Sequence, residues 1–236
     1  MKKIVATIII TGFGSLAAQN VQLHYDLGRA RDKAAMDRGY FTSTVEMFKP
    51  DKWGSNYFFV DMDYNGKDGN ISTAYWEISR DIKLWKQPVA LHVEYNGGIF
   101  VDDNSFYGNN IKNAYLFGFS STKKVGAFSL GSYFAYKYFN SGGNEGPDFQ
   151  WTCTWFGLLA NGKITLSGFF DIWTEDYINH LGMPSGKKWV FLSEPQIWYN
   201  ITTNLAVGSE VEISSNFVPF SNELEIMPTI AAKWNF

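Results

Sequence analysis

The side chains best suited to chemistry in this chain fall in short strings where acids and aromatics alternate. Asp61 and Asp63 follow Tyr57 and Phe59, Glu77 follows Tyr75, Asp171 stands between Phe169 and Trp173, Glu194 precedes Trp198, and Glu210 and Glu212 lie two apart. Carboxylates accept hydrogen bonds from hydroxyl and amino groups, and aromatic faces stack on flat rings. Together they suit weak binding of a flat, polar solute. Paired acids also serve glycoside hydrolysis, but an i, i+2 pair on a strand merely shares a face. No serine is spaced with His24, His92 or His180 as in a Ser–His hydrolase, and a single cysteine, Cys153, excludes a disulfide framework or a Cys-rich metal site. Asp102-Asp103-Asn104 is an acidic cluster that hydration alone explains. The expectation is a chain that is not an enzyme, with no catalytic residue, no metal and no cofactor.

Such strings need elements that hold alternate side chains on one face. Beyond residue 18 helical periodicity is nearly absent, and period-two alternation recurs, broken by Gly, Asn, Asp, Ser and Pro. Twelve strands are predicted, over 21–27, 41–48, 55–64, 73–85, 89–100, 113–121, 128–138, 149–159, 164–174, 188–199, 205–215 and 224–236. The connections alternate in length: 28–40, 101–112 and 175–187 are long, whereas 86–88, 160–163 and 200–204 are short. An even strand count with short turns on one side and long loops on the other is the connectivity of a bacterial outer-membrane barrel. The expected fold class is all-β, a 12-stranded antiparallel transmembrane β-barrel.

Alternation alone does not say which face points inward; side-chain chemistry does. The last strand puts Leu224, Ile226, Pro228, Ile230, Ala232, Trp234 and Phe236 on one face and Glu225, Met227, Thr229, Lys233 and Asn235 on the other. The same phase gives an apolar face with Phe58 and Val60, Leu91 and Val93, Phe134 and Tyr136, Leu166 and Phe170, and Val207 and Val211. The opposite face collects Asp26, Glu46, Asp61, Asp63, Glu77, Asp81, Glu94, Asp171, Glu194, Glu210 and Glu212 with His24, His92 and Lys137. A wall facing lipid must turn these groups into an aqueous lumen. Trp, Tyr and Phe near strand ends, among them Tyr40, Trp53, Trp85 and Tyr199, suit interfacial girdles. Arg80 disobeys, falling on the apolar phase of Trp76 and Ile78, so either a bulge shifts the register or it lies at the rim. Aromatics reach 18% and charged residues only 18%, which fits a chain with lipid as a partner, and a net charge of -3 offers no field for a nucleic-acid partner.

Lys2 and Lys3 precede an apolar run over 4–10 and the small residues Ser15, Ala17 and Ala18, the pattern of a secretory signal peptide. Residues 1–18 are read as that leader and 19–236 as one barrel domain. The aromatic carboxyl terminus, Phe236, resembles the signal read by the outer-membrane assembly machinery, a further expected partner.

Several strings carry a family resemblance. Trp53-Gly54-Ser55-Asn56-Tyr57-Phe58-Phe59-Val60-Asp61-Met62-Asp63, Ala74-Tyr75-Trp76-Glu77-Ile78-Ser79, Ser167-Gly168-Phe169-Phe170-Asp171-Ile172-Trp173, Gly208-Ser209-Glu210-Val211-Glu212-Ile213-Ser214 and the stretch 228–236 resemble the nucleoside-specific channel-forming porins (the Tsx-like family) of the Gram-negative outer membrane. The resemblance implies a narrow, monomeric 12-stranded barrel passing nucleosides by facilitated diffusion. Candidate solute-binding positions in the lumen are Tyr57, Phe59, Asp61, Asp63, Tyr75, Glu77, Phe169, Asp171, Trp173, Glu194, Trp198, Glu210 and Glu212, with Phe156 and Gln196 in the same strips. The acid excess predicts cation preference and poor passage of phosphorylated nucleotides. The alternatives are a closed barrel acting through its outer loops, with Phe106-Tyr107 and 140–147 as contact tips, and a secreted soluble β-sandwich or carrier. Lipid hydrolysis is not expected, because His24 and His92 fall on the lumen phase, away from lipid.

Overall fold

A computed structural model describes residues 18–28, 38–102, 107–139, 146–178, 183–218 and 221–236. The leader up to residue 17 lies outside the described residues, as do Asp103, Asn104, Phe106, 140–145 and His180. Thirteen strand segments follow in order: β1 (Ala18–Asp26), β2 (Phe41–Asp51), β3 (Gly54–Asp63), β4 (Thr73–Ile82), β5 (Ala90–Asp102), β6 (Tyr107–Val125), β7 (Phe128–Phe139), β8 (Asp148–Leu159), β9 (Ile164–Ile178), β10 (Pro184–Ser193), β11 (Gln196–Asn200), β12 (Leu205–Ser215) and β13 (Leu224–Asn235). Segments β10 and β11 are two halves of one strand. Phe170 faces Ser193 and Ser167 faces Gln196, so the register continues across Glu194 and Pro195. Pro195 has no N–H and interrupts the ladder, although its carbonyl still accepts from Val211 N–H at 3.1 Å.

The twelve resulting strands close into an antiparallel barrel. β1 is the seam: Gln22 faces Thr44 of β2 on one side and Lys233 of β13 on the other. Its alternation sets the orientation, for Leu23 is 47% exposed while Gln22 is 1%. The same inversion runs around the wall, where Ile78, Val93, Phe117, Phe134, Ile197 and Ile230 are exposed while His92, Glu94, Gln150 and Asp171 are buried. An apolar belt turned outward around a polar interior is stable only against hydrocarbon.

The strands run further than the alternation indicated. β6 has 19 residues, against roughly 9–11 needed to span a bilayer. The predicted loops 101–112 and 175–187 are mostly strand, because β5 reaches Asp102, β6 starts at Tyr107, β9 reaches Ile178 and β10 starts at Pro184. Beyond the headgroups both faces of a strand meet water, so the hydropathy alternation ends while the backbone ladder goes on. The short connections do fall at the end that carries both termini, as expected.

Arg80 lies at the rim. It pairs in register with Asn56 and Val93 without a bulge, and its guanidinium donates to both oxygens of Asp51 at 2.9 and 3.0 Å, beside the β2–β3 turn. Elsewhere the wall relies on close backbone approach at glycine. A Cβ at Gly118 would stand 2.0 Å from the Phe134 carbonyl oxygen and 2.6 Å from Ala135 Cα. Gly118→Val is therefore expected to cost about 1–3 kcal/mol, read as a lowered urea midpoint of the refolded barrel. An unchanged midpoint would show that β6 and β7 can separate without penalty.

Candidate functional site

All thirteen candidate positions face the lumen. Thr42 and Thr44 of β2 donate to Asp63 and Asp61 of β3, and Phe59 stands between Glu46 and Glu77 in register. The Tyr75 hydroxyl donates to Glu77 at 2.7 Å. Asp171 pairs with Thr152 and Leu192, Trp173 with Gln150 and Val190, and Phe169 with Thr154. Glu194 donates its N–H to the Phe169 carbonyl at 3.1 Å, Trp198 faces Thr165 and Gly208, Glu210 faces Gln196, and Glu212 faces Met227.

The interior is not evenly open. One wall, built by β5 to β9, is filled by an interlocked network. The His92 ring stacks on Tyr133 at 3.9 Å and bonds Asp81 at 2.9 Å and Glu94 at 3.2 Å. The Tyr133 hydroxyl donates to Glu94 at 3.1 Å and accepts from Gln150 at 2.9 Å, while Lys137 donates to Gln150 at 2.6 Å. Thr152 donates to Asp171 at 2.5 Å. A second filled corner lies where β11 to β13 meet β1. There the Lys233 ammonium sits 3.9 Å over the ring of the fully buried Trp198, whose indole N–H donates to Gln196 at 2.9 Å. His24 meets Trp198 edge-on and bonds Gln22 at 3.0 Å and Thr229 at 3.1 Å rather than Asp26, which Arg38 holds at 2.6 Å.

Between these masses runs a strip open to water. No inward residue of β2, β3 or β4 is buried; Glu46, Tyr57, Phe59, Asp61, Tyr75 and Glu77 remain partly exposed, as do Glu194, Gln196, Glu210 and Glu212 opposite. Phe59 lies 6.1 Å from Tyr57 and 6.0 Å from Tyr75 between ring centres, so the three form a ladder along the strip. At the short-turn end, lumen-facing Phe156 is 49% exposed. Acids predominate, with Glu194 in electrostatic reach of Glu210, Glu212, Asp61 and Glu77, and Glu210 of Asp61 and Glu46, while Lys233 lies in reach of Glu46 and Glu210 and Arg38 in reach of Glu212.

Asp171, Trp173 and Trp198, expected to meet solute, are instead packed into the filled walls. The other ten candidates line the strip or its mouth. Sequence reasoning missed Tyr133, Gln150, Gln22 and Asn96, although the phase of β7 and β8 would have turned the first two inward. Cys153 faces outward and donates to Ser132 at 3.4 Å. Among the described residues no group of His, Cys, Asp and Glu is arranged to hold a metal ion.

Residues 18–236 match the family described as a domain of unknown function, DUF5020. The chain belongs to that family. No curated protein matches the DUF5020 chain. Its fold is similar to that of the NanC porin, with a TM-score of 0.56 at 12% identity, covering 93% of this chain and 100% of that one. It is also similar to the outer membrane phospholipase A from Escherichia coli, with a TM-score of 0.52 at 8% identity, covering 92% and 96%. A shared outer-membrane barrel fold and an outward apolar belt place this DUF5020 barrel in the bacterial outer membrane, with lipid around it.

Proposed function

We propose that this barrel is a channel for passive diffusion of small, flat, hydrogen-bond-donating solutes, nucleosides foremost, and that it is not an enzyme. The observation that carries this reading is the water-accessible strip of aromatics and carboxylates between two filled walls. A base stacks on Tyr57, Phe59 or Tyr75, and ribose hydroxyls donate to Asp61, Glu194 or Glu210. Each stacking contact is worth about 1–3 kcal/mol, weak enough for the solute to leave. The nucleoside assignment is supported by the porin-like strings at 53–63 and 208–214, which supply this strip. The fold shared with a phospholipase does not by itself argue for lipid chemistry, and the two described histidines, His24 and His92, both face the lumen. A monomer suffices, since one chain closes the barrel, and Phe236, 73% exposed on the outward phase, is presented as an assembly signal.

Labelled adenosine is expected to enter liposomes carrying the refolded chain faster than empty ones. Adenosine monophosphate is expected to enter at least about tenfold more slowly, because the acidic strip opposes its phosphate. Equal rates for the two would remove the selectivity argument. The filled walls favour a second reading, a closed barrel that works through its outer loops, and absence of any uptake would select it.

A further inference from the structure

The lumen holds a polar atom that the fold leaves without a donor. Asn96 stands on the lumen-facing phase of β5, in register with Glu77 of β4 and Ala114 of β6, and is 4% exposed. Its Oδ1 is buried and accepts no hydrogen bond among the described residues. Bare buried acceptors are costly and rare, so this one calls for a donor from the lumen, a water or the N–H of a passing solute. Its surroundings are rich in acceptors as well. Glu77 has one oxygen held by the Tyr75 hydroxyl and lies in electrostatic reach of Glu94, Asp171 and the single Lys137 ammonium, so the acids there outnumber the base. The nearby ammonium, Lys137, is committed to Gln150 at 2.6 Å and to the face of Trp173 at 4.4 Å. An oxygen-rich wall also suits a hard metal ion, yet no described acids converge closely enough to ligate one.

We propose that the lumen wall where Glu77 pairs with Asn96 binds small flat organic cations that carry N–H donors: amidines, guanidines and protonated ring amines. Glu77 balances the charge, Asn96 Oδ1 takes an N–H, and the ring lies against Tyr75, one step along the ladder from Phe59. The proposal rests on the channel reading, because the lumen is the route to this part of the wall.

Calorimetry on the detergent-solubilised, refolded barrel tests it without any flux, using benzamidine as the probe. Benzamidine is expected to bind at least about tenfold more tightly than benzyltrimethylammonium, which has the charge but no N–H, and benzoate is expected to give no binding heat. Asn96→Leu is expected to weaken benzamidine about tenfold and leave benzyltrimethylammonium unchanged, whereas Asn96→Asp, which keeps the acceptor, retains binding. Glu77→Gln is expected to weaken both cations. Heat-modifiable migration verifies that each variant is folded, and Asn96→Asp with Glu77→Gln decides the matter if Asn96→Leu does not fold. Benzoate binding as well as benzamidine, no benzamidine binding, or indifference of benzamidine to the Asn96 and Glu77 changes would overturn the site. Benzamidine binding in a barrel that gives no liposome uptake would overturn the channel reading and leave the site standing.

Discussion

Ile230→Arg is expected to prevent insertion of the refolded barrel into vesicles, whereas Ser79→Arg leaves insertion intact. Ile230 lies midway along β13, pairs with Tyr25 and is 56% exposed on the outward phase. An arginine at the bilayer midplane of a barrel wall costs about 2–4 kcal/mol, a large share of a typical stability of about 5–15 kcal/mol. Ser79 sits on the other phase, between Tyr57 and Glu94 in register. An arginine there finds lumen water and a carboxylate within one strand spacing, so its charge stays solvated. The comparison needs only the fraction of each variant that shows heat-modifiable migration after dilution into vesicles. Equal tolerance of the two changes would mean that the outer wall meets water, and both the membrane location and the transport proposal would go with it.

Alternation around Phe58, Leu91, Phe134 and Val207 was enough to read the barrel, because period two is the one signal that a strand with two unlike surroundings must carry. It failed where the surroundings stop differing. Asn109 and Asn110 continue β6 above the membrane opposite Phe100 and Ile99, yet nothing in their polarity distinguishes a wet strand from a wet loop. The interruption at Pro195 was equally silent. A proline in a predicted central strand normally argues against it, and here the pairing survives because the residues on either side keep one register with β9 and β12.

The candidate site was legible to the level of its face and no further. Phase places Trp198 and Tyr75 on the same inner surface, but only the closed barrel shows that Lys233 caps Trp198 while Tyr75 stays partly exposed. Which inward side chains fill space and which meet water depends on neighbours far away in sequence. Tyr133 reaches Glu94, 39 residues away, and that contact helps to close one wall. His24 shows the same limit. Its nearest acid on the strand, Asp26, goes to Arg38, and the imidazole bonds Gln22 of its own strand and Thr229 across the seam, with the carboxylate of Glu210 at 3.9 Å. The charge of the strip, in contrast, was readable directly, since acids outnumber bases on the inward phase however the walls pack.

That charge supports the second large effect. In planar bilayers under a potassium chloride gradient, the reversal potential is expected to show cation preference, with a permeability ratio on the order of 10. The combined change Asp61→Asn, Glu194→Gln and Glu210→Gln is expected to bring that ratio close to unity, within about a factor of two. The three acids belong to β3, to the break between β10 and β11, and to β12, and they act on the same volume of lumen. The Debye length is about 10 Å at 0.1 M salt, comparable with the half-width of a narrow barrel, so an ion anywhere in the strip feels all three. At 1 M salt that length falls to about 3 Å, and the wild-type ratio is expected to collapse toward that of the triple variant. Asp51→Asn serves as the control, because Asp51 pairs with Arg80 at the rim and does not face the strip. A triple variant that keeps the wild-type ratio would assign selectivity to the loops above the barrel. An anion-selective wild type would remove the physical basis for excluding phosphorylated solutes, since lumen carboxylates repel a phosphate for the same reason that they repel chloride.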